Sequence, residues 1–345
     1  MPIAEALVAM THSSVLTADA VSVDYPITPD WPWQRAGRLR AVHKASLSLT
    51  AGETLGLVGE SGCGKSSLAR ALTGLAPVTG GQVRLDGQTM RFDRRAATRA
   101  LRRDVQMIFQ DPLASLDPRM TIAQIVAEPL AILRGDIDKA ERRRRVIAML
   151  ERVGLTRAQM GRYPHEFSGG QCQRVGIARA LVVEPRVLIC DEPVSALDVS
   201  IQARILDLLA ELQREMDIAI LFIAHDLAVV RQISDRVRVM YLGAPMEEAP
   251  AAALFDQPKH PYTKALLSAV PRPDLAAERA RRRIRLHGEL PSAADPPSGC
   301  VFRTRCPWAQ ADCGARVPEW RALGGSSVAC HHAEAIAAGT LDRSA

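Results

Sequence analysis

The chain has 345 residues, of which 47% are apolar and 24% charged, enough to bury one large core or two smaller ones. Its apolar runs, such as "IAILFIA", are too short to cross a bilayer, and its first residues lack the basic start of a signal peptide. We therefore expect a cytosolic protein, in which clustered cysteines indicate metal or redox chemistry before disulfide bonds.

Arginine runs carry much of the net charge of +6, the longest at 142–145. Such runs can mark a surface for nucleic acid or membrane. Here the helical spacing of Ile147, Leu150 and Val153 places the arginines on the opposite face of an amphipathic helix. We interpret them as solvated surface charge.

Predicted strands and helices alternate along most of the chain. The expected strands are "VLTADAVSVDY", "ASLSLT", "TLGLVG", "QVRLDG", "VQMIF", "RVLIC", "IAILFIA" and "RVRVMYLG". Helices are expected from Lys65, within about 119–183, and over 200–216 and 226–234. This order predicts an α/β fold with a largely parallel sheet, divided by a helical insert. Residues 271–298, rich in Pro, Ala and Arg, are predicted to form a linker before a cysteine-containing segment.

The segment "GESGCGKS" at 59–66 has the spacing G-x-x-x-x-G-K-S between a predicted strand and helix, the context of a phosphate-binding loop. Its glycines permit a turn whose N–H groups converge on phosphate at the positive end of the helix. Lys65 is predicted to reach the β- and γ-phosphates and Ser66 to bind Mg²⁺, whereas Cys63 is assigned no chemistry of its own. The predicted nucleotide-binding residues are Gly59, Glu60, Ser61, Gly62, Cys63, Gly64, Lys65, Ser66 and Ser67.

Polar side chains follow three further apolar runs. Asp191 and Glu192 end "VLICDE"; we predict that Asp191 holds Mg²⁺ and that Glu192 is the general base for the attacking water. An acidic helix cap is the alternative, which the phosphate loop disfavours. Strand ends of open α/β sheets converge on the ligand crevice. We therefore predict that His225 contacts the γ-phosphate and that the amide oxygen of Gln110 binds Mg²⁺ or water.

A second predicted helix starts with small residues, "FSGGQ" at 167–171, which form another anion site from backbone N–H groups. The chain thus has two phosphate-binding helix starts, whereas one bound nucleotide needs only the first. Ser168, Gly169, Gly170 and Gln171 resemble the LSGGQ signature of ATP-binding cassette (ABC) ATPases, with Phe167 in place of the usual Leu. The ordered motifs, from the phosphate loop to His225, are similar to those of that family.

The resemblance implies a RecA-like parallel core, an antiparallel β subdomain and a helical signature subdomain. It also implies that two cassettes sandwich two ATP molecules head to tail, so that the signature serves the partner's nucleotide and "SALD" at 195–198 lies at the interface. In this family an aromatic residue upstream of the phosphate loop stacks on adenine. We expect Tyr25 in that role, with Trp31 and Trp33 as rivals.

Longer stretches narrow the resemblance to the ATP-binding subunits of bacterial oligopeptide and dipeptide importers: "MIFQDPLASLDPRMTI", "RYPHEFSGGQCQR" and "HPYTKALLSAVPRPD". The resemblance implies a nucleotide-binding domain over 1–258, with its helical subdomain at about 119–183, and a C-terminal extension typical of those importers over 259–345. It implies a paralogous ATPase subunit in a heterodimer, two transmembrane permease subunits that dock near 110–117, and a periplasmic peptide-binding protein. The implied location is peripheral, on the cytoplasmic face of the bacterial inner membrane.

Two alternatives to peptide import stay open. The same importer class could carry nickel, glutathione or an antibiotic peptide, because the ATPase does not touch the cargo. A nucleic-acid-acting ABC ATPase would carry two cassettes or a long interruption between phosphate loop and signature, and this chain has neither. No nucleic-acid partner is therefore expected.

Four of the seven cysteines lie in a C-terminal segment at 300–330, with the spacing C-x5-C-x6-C-x16-C. The tight C-x2–4-C pairs usual in structural zinc sites are missing, while four thiolates can also hold a [4Fe–4S] cluster. His331 or His332 could replace one ligand. The resemblance favours the cluster, because some peptide-importer ATPases carry one there; zinc and no metal remain the alternatives. The candidate ligands are Cys300, Cys306, Cys313 and Cys330.

Overall fold

Two sheets organise the chain in its computed structural model, which describes residues 14–27, 31, 37–92, 95–270 and 283–341. The strands are β1 (Ser14–Ile27), β2 (Gly37–Thr50), β3 (Thr54–Val58), β4 (Gly80–Leu85), β5 (Gln88–Thr89), β6 (Val105–Ile108), β7 (Val187–Asp191), β8 (Ala219–Ile223), β9 (Arg236–Tyr241), β10 (Ala244–Pro250), β11 (Arg321–Leu323) and β12 (Ser326–Val328). The helices are α1 (Lys65–Leu72), α2 (Arg95–Asp104), α3 (Ile122–Leu133), α4 (Lys139–Arg152), α5 (Gly169–Leu181), α6 (Val199–Met216), α7 (Leu227–Ile233), α8 (Ala251–Asp256) and α9 (Pro261–Ala269). Shorter helical segments lie at Arg157–Gln159, Pro164–Glu166, Asp312–Ala315 and Ala333–Ala338. The predicted α/β class is confirmed.

A parallel sheet lies at the centre of the fold. β3 pairs in parallel with β8 and β9, and β7 pairs in parallel with β6 and β8. Every residue of β3, β7 and β8 is buried, as expected for parallel strands covered on both faces. The carboxyl ends of these three strands lead into the phosphate loop, the acidic pair and His225. The predicted site residues therefore meet at one edge of the sheet.

A separate antiparallel sheet, in the order β2-β1-β4-β5, carries the aromatic residue proposed to contact adenine. Tyr25 lies opposite Leu39 in the β1–β2 pair. β2 begins at Gly37, well before the predicted strand "ASLSLT", because residues 37–44 continue the pairing with β1. Trp33 lies outside the described residues.

Helices α3, α4 and α5 occupy the region of the predicted helical insert. Their starts are set by side-chain caps: Thr121 caps α3 in a reciprocal arrangement with Gln124, and the Asp138 carboxylate accepts the N–H of Glu141 at 2.8 Å. The sequence did not predict α2, because arginines obscure its apolar period; Leu101 is its buried side chain. None of the helices among the described residues is long and apolar enough to cross a membrane.

The C-terminal residues join the main sheet. β12 pairs with β10, with Glu247 opposite Val328, and β11 pairs with β12. Of the predicted linker, residues 271–282 lie outside the described chain; the described part, 283–298, contains no helix or strand, and its Leu286 and Ala293 pack against the core. Apolar side chains hold this stretch against the rest of the protein, so its Pro and Ala content does not indicate a free linker.

Candidate active site

The phosphate loop connects β3 to α1 through two glycines that no other residue could replace without a clash. Gly64 has φ +101°, and a Cβ there would lie 2.0 Å from the carbonyl oxygen of Ala41. A Cβ at Gly59 would lie 2.2 Å from the carbonyl oxygen of Met240. The loop is therefore packed tightly against β2 and the end of β9 at these two glycines.

Lys65 is held within its own loop. Its side chain is almost fully buried, and Nζ donates to the carbonyl oxygens of Gly59 at 2.7 Å and Glu60 at 3.0 Å. These bonds to neutral oxygens leave the positive charge uncancelled beside the cleft. The ammonium is thus placed to attract phosphate oxygens.

Ser66 and Asp191, two of the three predicted Mg²⁺ residues, are hydrogen-bonded to each other. Ser66 Oγ donates to Asp191 Oδ1 at 3.0 Å. Burial raises the pKa of the Asp191 carboxyl, and the Ser66 hydrogen bond opposes part of that rise. A hydroxyl and a carboxylate side by side supply the oxygen ligands that Mg²⁺ prefers, so the pair fits the predicted ion.

Glu192 brings together the three predicted catalytic side chains. Its Oε2 accepts from Gln110 Nε2 at 3.1 Å and lies 3.3 Å from His225 Nδ1. The side chain of His225 is 57% exposed, whereas that of Glu192 is 16% exposed. Two neighbours therefore orient one carboxylate oxygen, which suits a base that accepts a proton from water.

Most of these groups line a single cleft of about 530 Å³, whereas the predicted site residues Gly59, Glu60 and Asp191 are not among its lining residues. It contains Tyr25, Ser61, Gly62, Gly64, Lys65, Ser66, Ser67, Gln110, Glu192 and His225, all predicted from the sequence. It also contains Leu39, Ala41 and Ala293, which were missed because isolated apolar residues carry no motif. Trp31 does not line the cleft, and Cys63 is buried, with the pKa of its thiol raised by burial.

The signature residues lie elsewhere in the chain. Ser168 is exposed and caps α5: its Oγ accepts from the N–H of Gln171, and its own N–H donates to Gln171 Oε1 at 3.0 Å. Gly170 allows close packing, since a Cβ there would lie 2.7 Å from Ile201 Cγ2. None of these residues lines the cleft of the same chain.

None of the four C-terminal cysteines forms a disulfide bond. Burial raises the pKa of Cys306 and Cys330 to about 12. Among the described residues, the candidate ligand group with atoms within 4.8 Å of one another is Asp312, Cys313 and His332, which leaves three of the cysteines out. Four sulfurs on one zinc ion would lie about 3.8 Å apart. The group therefore gives no support to a four-cysteine zinc site, and it contains only one of the four predicted cluster ligands, so the [4Fe–4S] cluster stays a prediction.

Family profiles match two parts of the chain. The profile described as ABC transporter matches residues 42–195, and that of the oligopeptide/dipeptide transporter C-terminal region matches residues 246–313. Similar curated proteins cover most of the chain. It is 55% identical to the oligopeptide transport ATP-binding protein OppF of Escherichia coli, over 87% of this chain and 90% of that protein. It is 48% identical to the di/tripeptide transport ATP-binding protein DppF of Pseudomonas aeruginosa, over 93% of this chain and 98% of that protein.

Solved structures match the cassette. One is cbiO1 from Clostridium perfringens, part of an ABC transporter complex, with 28% identity and a TM-score of 0.61 over 70% of this chain and 90% of that chain. Another is the ATP-binding cassette MJ0796, a dimer in a post-hydrolysis state bound to ADP and phosphate, with 28% identity and a TM-score of 0.60 over 68% of this chain and 98% of that chain.

Proposed function

The chain belongs to the family of oligopeptide and dipeptide transport ATP-binding proteins, and we propose that it hydrolyses ATP to energise the import of such peptides through a membrane ABC transporter. The observation that carries this proposal is the cleft lined by Lys65, Ser66 and Glu192, with Asp191 hydrogen-bonded to Ser66. The match of the C-terminal region adds the peptide-transport class.

Each side chain of the cleft has a separate task in hydrolysis. Lys65 attracts the β- and γ-phosphates, and Ser66 with Asp191 supplies oxygen ligands for Mg²⁺, which neutralises phosphate charge when bound. Glu192 accepts a proton from the attacking water through a carboxylate oxygen that Gln110 and His225 orient. Tyr25, on the cleft wall, is proposed to stack on adenine.

A second ATPase subunit completes each site. The Ser168 signature does not line its own chain's cleft, so a partner that faces this chain head to tail would bring its signature to the cleft. Val199, next to the "SALD" segment, is an apolar side chain that is 82% exposed, which suits burial at such an interface. We propose a paralogous ATPase as the partner.

An apolar groove of about 360 Å³ lies between the core and the helical insert. It is lined by exposed Leu75, Phe109 and Ile132, together with Pro129. Such exposed apolar side chains favour a protein partner. We propose that the permease subunits dock here, close to the predicted segment 110–117. Two permeases and a periplasmic peptide-binding protein would complete the transporter, with this chain peripheral on the cytoplasmic face of the inner membrane.

The cargo is tested by stimulation of hydrolysis. The chain, its proposed partner ATPase and the proposed permeases are assembled in lipid nanodiscs, and ATPase rates are measured with the binding protein added. We expect stimulation by the binding protein loaded with short peptides. Stimulation by nickel or glutathione instead, with none by peptides, would replace the peptide assignment and leave the ATPase assignment intact.

The iron–sulfur cluster remains a prediction with its own test. Cys300, Cys306, Cys313 and Cys330 would each bind one iron, and binding would displace the protons that the raised pKa values of Cys300, Cys306 and Cys330 retain. Protein purified without oxygen is expected to contain iron and sulfide. Colourless protein without either, from cells replete in iron, would remove the cluster.

A further inference from the structure

Glu60, the second residue of the phosphate loop, is held by two residues of the C-terminal region. Its N–H donates to the hydroxyl of Tyr262 at 3.0 Å, and its Oε2 accepts from Arg305 Nη1 at 2.7 Å. Its carbonyl oxygen accepts from Lys65 Nζ at 3.0 Å. The N–H, the carbonyl and the carboxylate of this one residue are thus all engaged, two of them by side chains from the far end of the sequence.

The ion pair between Glu60 and Arg305 is sheltered from water. The Arg305 side chain is 11% exposed and that of Glu60 is 28% exposed. The guanidinium also lies over the ring of Tyr241, 5.9 Å from its centroid, and donates to its hydroxyl at 3.5 Å. A charge-assisted hydrogen bond with this little exposure is stronger than an open surface pair.

Buried aromatic rings fix the position of Arg305. It belongs to the loop between Cys300 and Cys306, named here the cysteine loop, whose Phe302 is fully buried. The Phe302 ring meets Tyr241, at the end of β9, and Tyr262, in α9, with centroid distances of 5.2 Å in both cases. Because Phe302 packs against these two rings, the cysteine loop is anchored to β9 and α9, and Arg305 is held beside Glu60.

We propose that the cysteine loop positions the phosphate loop for ATP: Arg305, together with Tyr262, holds Glu60 so that the loop keeps its nucleotide-ready shape. Two physical effects act in the same direction. A loop already held in its bound shape loses less conformational freedom on binding. Arg305 also neutralises a carboxylate that would otherwise repel the triphosphate. The proposal rests on ATP binding at the phosphate loop and does not depend on the cargo.

The test is the affinity of the full-length chain for a fluorescent ATP analogue. Arg305→Ala is expected to weaken binding by about fivefold to thirtyfold, as loss of one charge-assisted contact implies. Arg303→Ala is the matched control, because Arg303 lies in the same loop but donates to the Ser298 carbonyl at 2.8 Å and does not reach Glu60. Arg305→Lys should restore part of the affinity.

A kinetic comparison and a double variant distinguish a positioning role of Arg305 from a general loss of folding in Arg305→Ala. In the assembled ATPase, Arg305→Ala should raise the KM for ATP and leave kcat nearly unchanged, since Arg305 does not line the cleft. The double variant Arg305→Ala/Glu60→Gln should lose less ATP-binding free energy than the two single variants lose together. Wild-type affinity of Arg305→Ala, equal weakening in Arg303→Ala, or additive effects would each overturn the proposal. Failure of the wild-type chain to bind nucleotide would instead contradict the proposed function.

Discussion

At the scale of single residues, Glu192 combines an unusual backbone conformation with two side-chain contacts. It is a non-glycine residue with φ +48°, and its N–H donates to the Ile223 carbonyl at 3.0 Å. Such a conformation costs about 1–3 kcal/mol and persists where the surroundings fix it. Its carboxylate faces Gln110 and His225 in the cleft. The strained backbone of Glu192 and the contacts of its carboxylate in the cleft both indicate that this residue has a functional role.

Replacing the base should separate binding from chemistry. Glu192→Gln keeps the shape of the side chain but removes its ability to accept a proton at neutral pH. We expect ATP binding to persist and hydrolysis in the assembled complex to slow at least about a hundredfold. Steady-state phosphate release measures the effect, with the exposed Glu211→Gln in α6 as control. Near wild-type turnover in Glu192→Gln would remove the general-base assignment.

At the scale of elements, α5 begins with a phosphate-binding pattern that its own chain does not use. Ser168 is exposed at the start of the helix and lies outside the cleft that holds Lys65. In the dimer that we propose, this helix start would act on a nucleotide bound by the other chain. A change in the signature should therefore alter ATP hydrolysis by the dimer and leave nucleotide binding by the isolated chain unchanged.

A bulky charge at the signature tests that separation. Ser168→Arg should lower hydrolysis in the assembled complex about a hundredfold, because it removes a preorganised contact to the partner's nucleotide. The affinity of the isolated chain for an ATP analogue should stay at the wild-type value. Weaker binding in the isolated chain would show that the signature serves its own cleft.

The start of α9 contains a buried histidine that links stability to pH. His260 Nδ1 accepts from the N–H of Tyr262 at 3.0 Å, and burial lowers its pKa to about 3. An unfolded histidine gains its proton near pH 6.5, whereas the folded one stays neutral. Below pH 6.5 the unfolded state therefore binds more protons, and stability falls as the pH falls towards 3.

Urea unfolding at several pH values measures this contribution. Between pH 6.5 and 5 the wild type should lose up to about 1.4 kcal/mol per pH unit more than His260→Asn, which keeps an N-cap but does not titrate. The exposed His165→Asn should behave as the wild type. Identical pH profiles for wild type and His260→Asn would contradict the assignment.

Local patterns were readable from the sequence and distant contacts were not. The phosphate loop, the acidic pair and the start of α1 follow from glycine positions and apolar runs within about ten residues, since local sterics and burial dictate them. α2 was missed because its arginines hide its apolar period. The pairing of β12 with β10 and the contact of Arg305 with Glu60, 245 residues apart, depend on tertiary packing that no local pattern records.

At the scale of the whole molecule, the C-terminal region is part of the ATPase body. It extends the main sheet through β12, contributes Ala293 to the cleft and holds Glu60 of the phosphate loop. The groove proposed for the permeases lies apart from these contacts, against the helical insert. The C-terminal region thus contributes to one side of the cleft. We propose that the permeases and the partner ATPase contact other surfaces of the chain.

Peptide uptake into proteoliposomes measures whether ATP hydrolysis by this chain drives import. The vesicles contain the permeases, the partner ATPase and either the wild-type chain or Glu192→Gln, with ATP enclosed and peptide-loaded binding protein outside. We predict that labelled peptide accumulates in wild-type vesicles only when ATP is enclosed, and that accumulation falls at least about tenfold with Glu192→Gln. ATP hydrolysis in sealed vesicles without any peptide uptake, or uptake that does not depend on Glu192, would contradict the account.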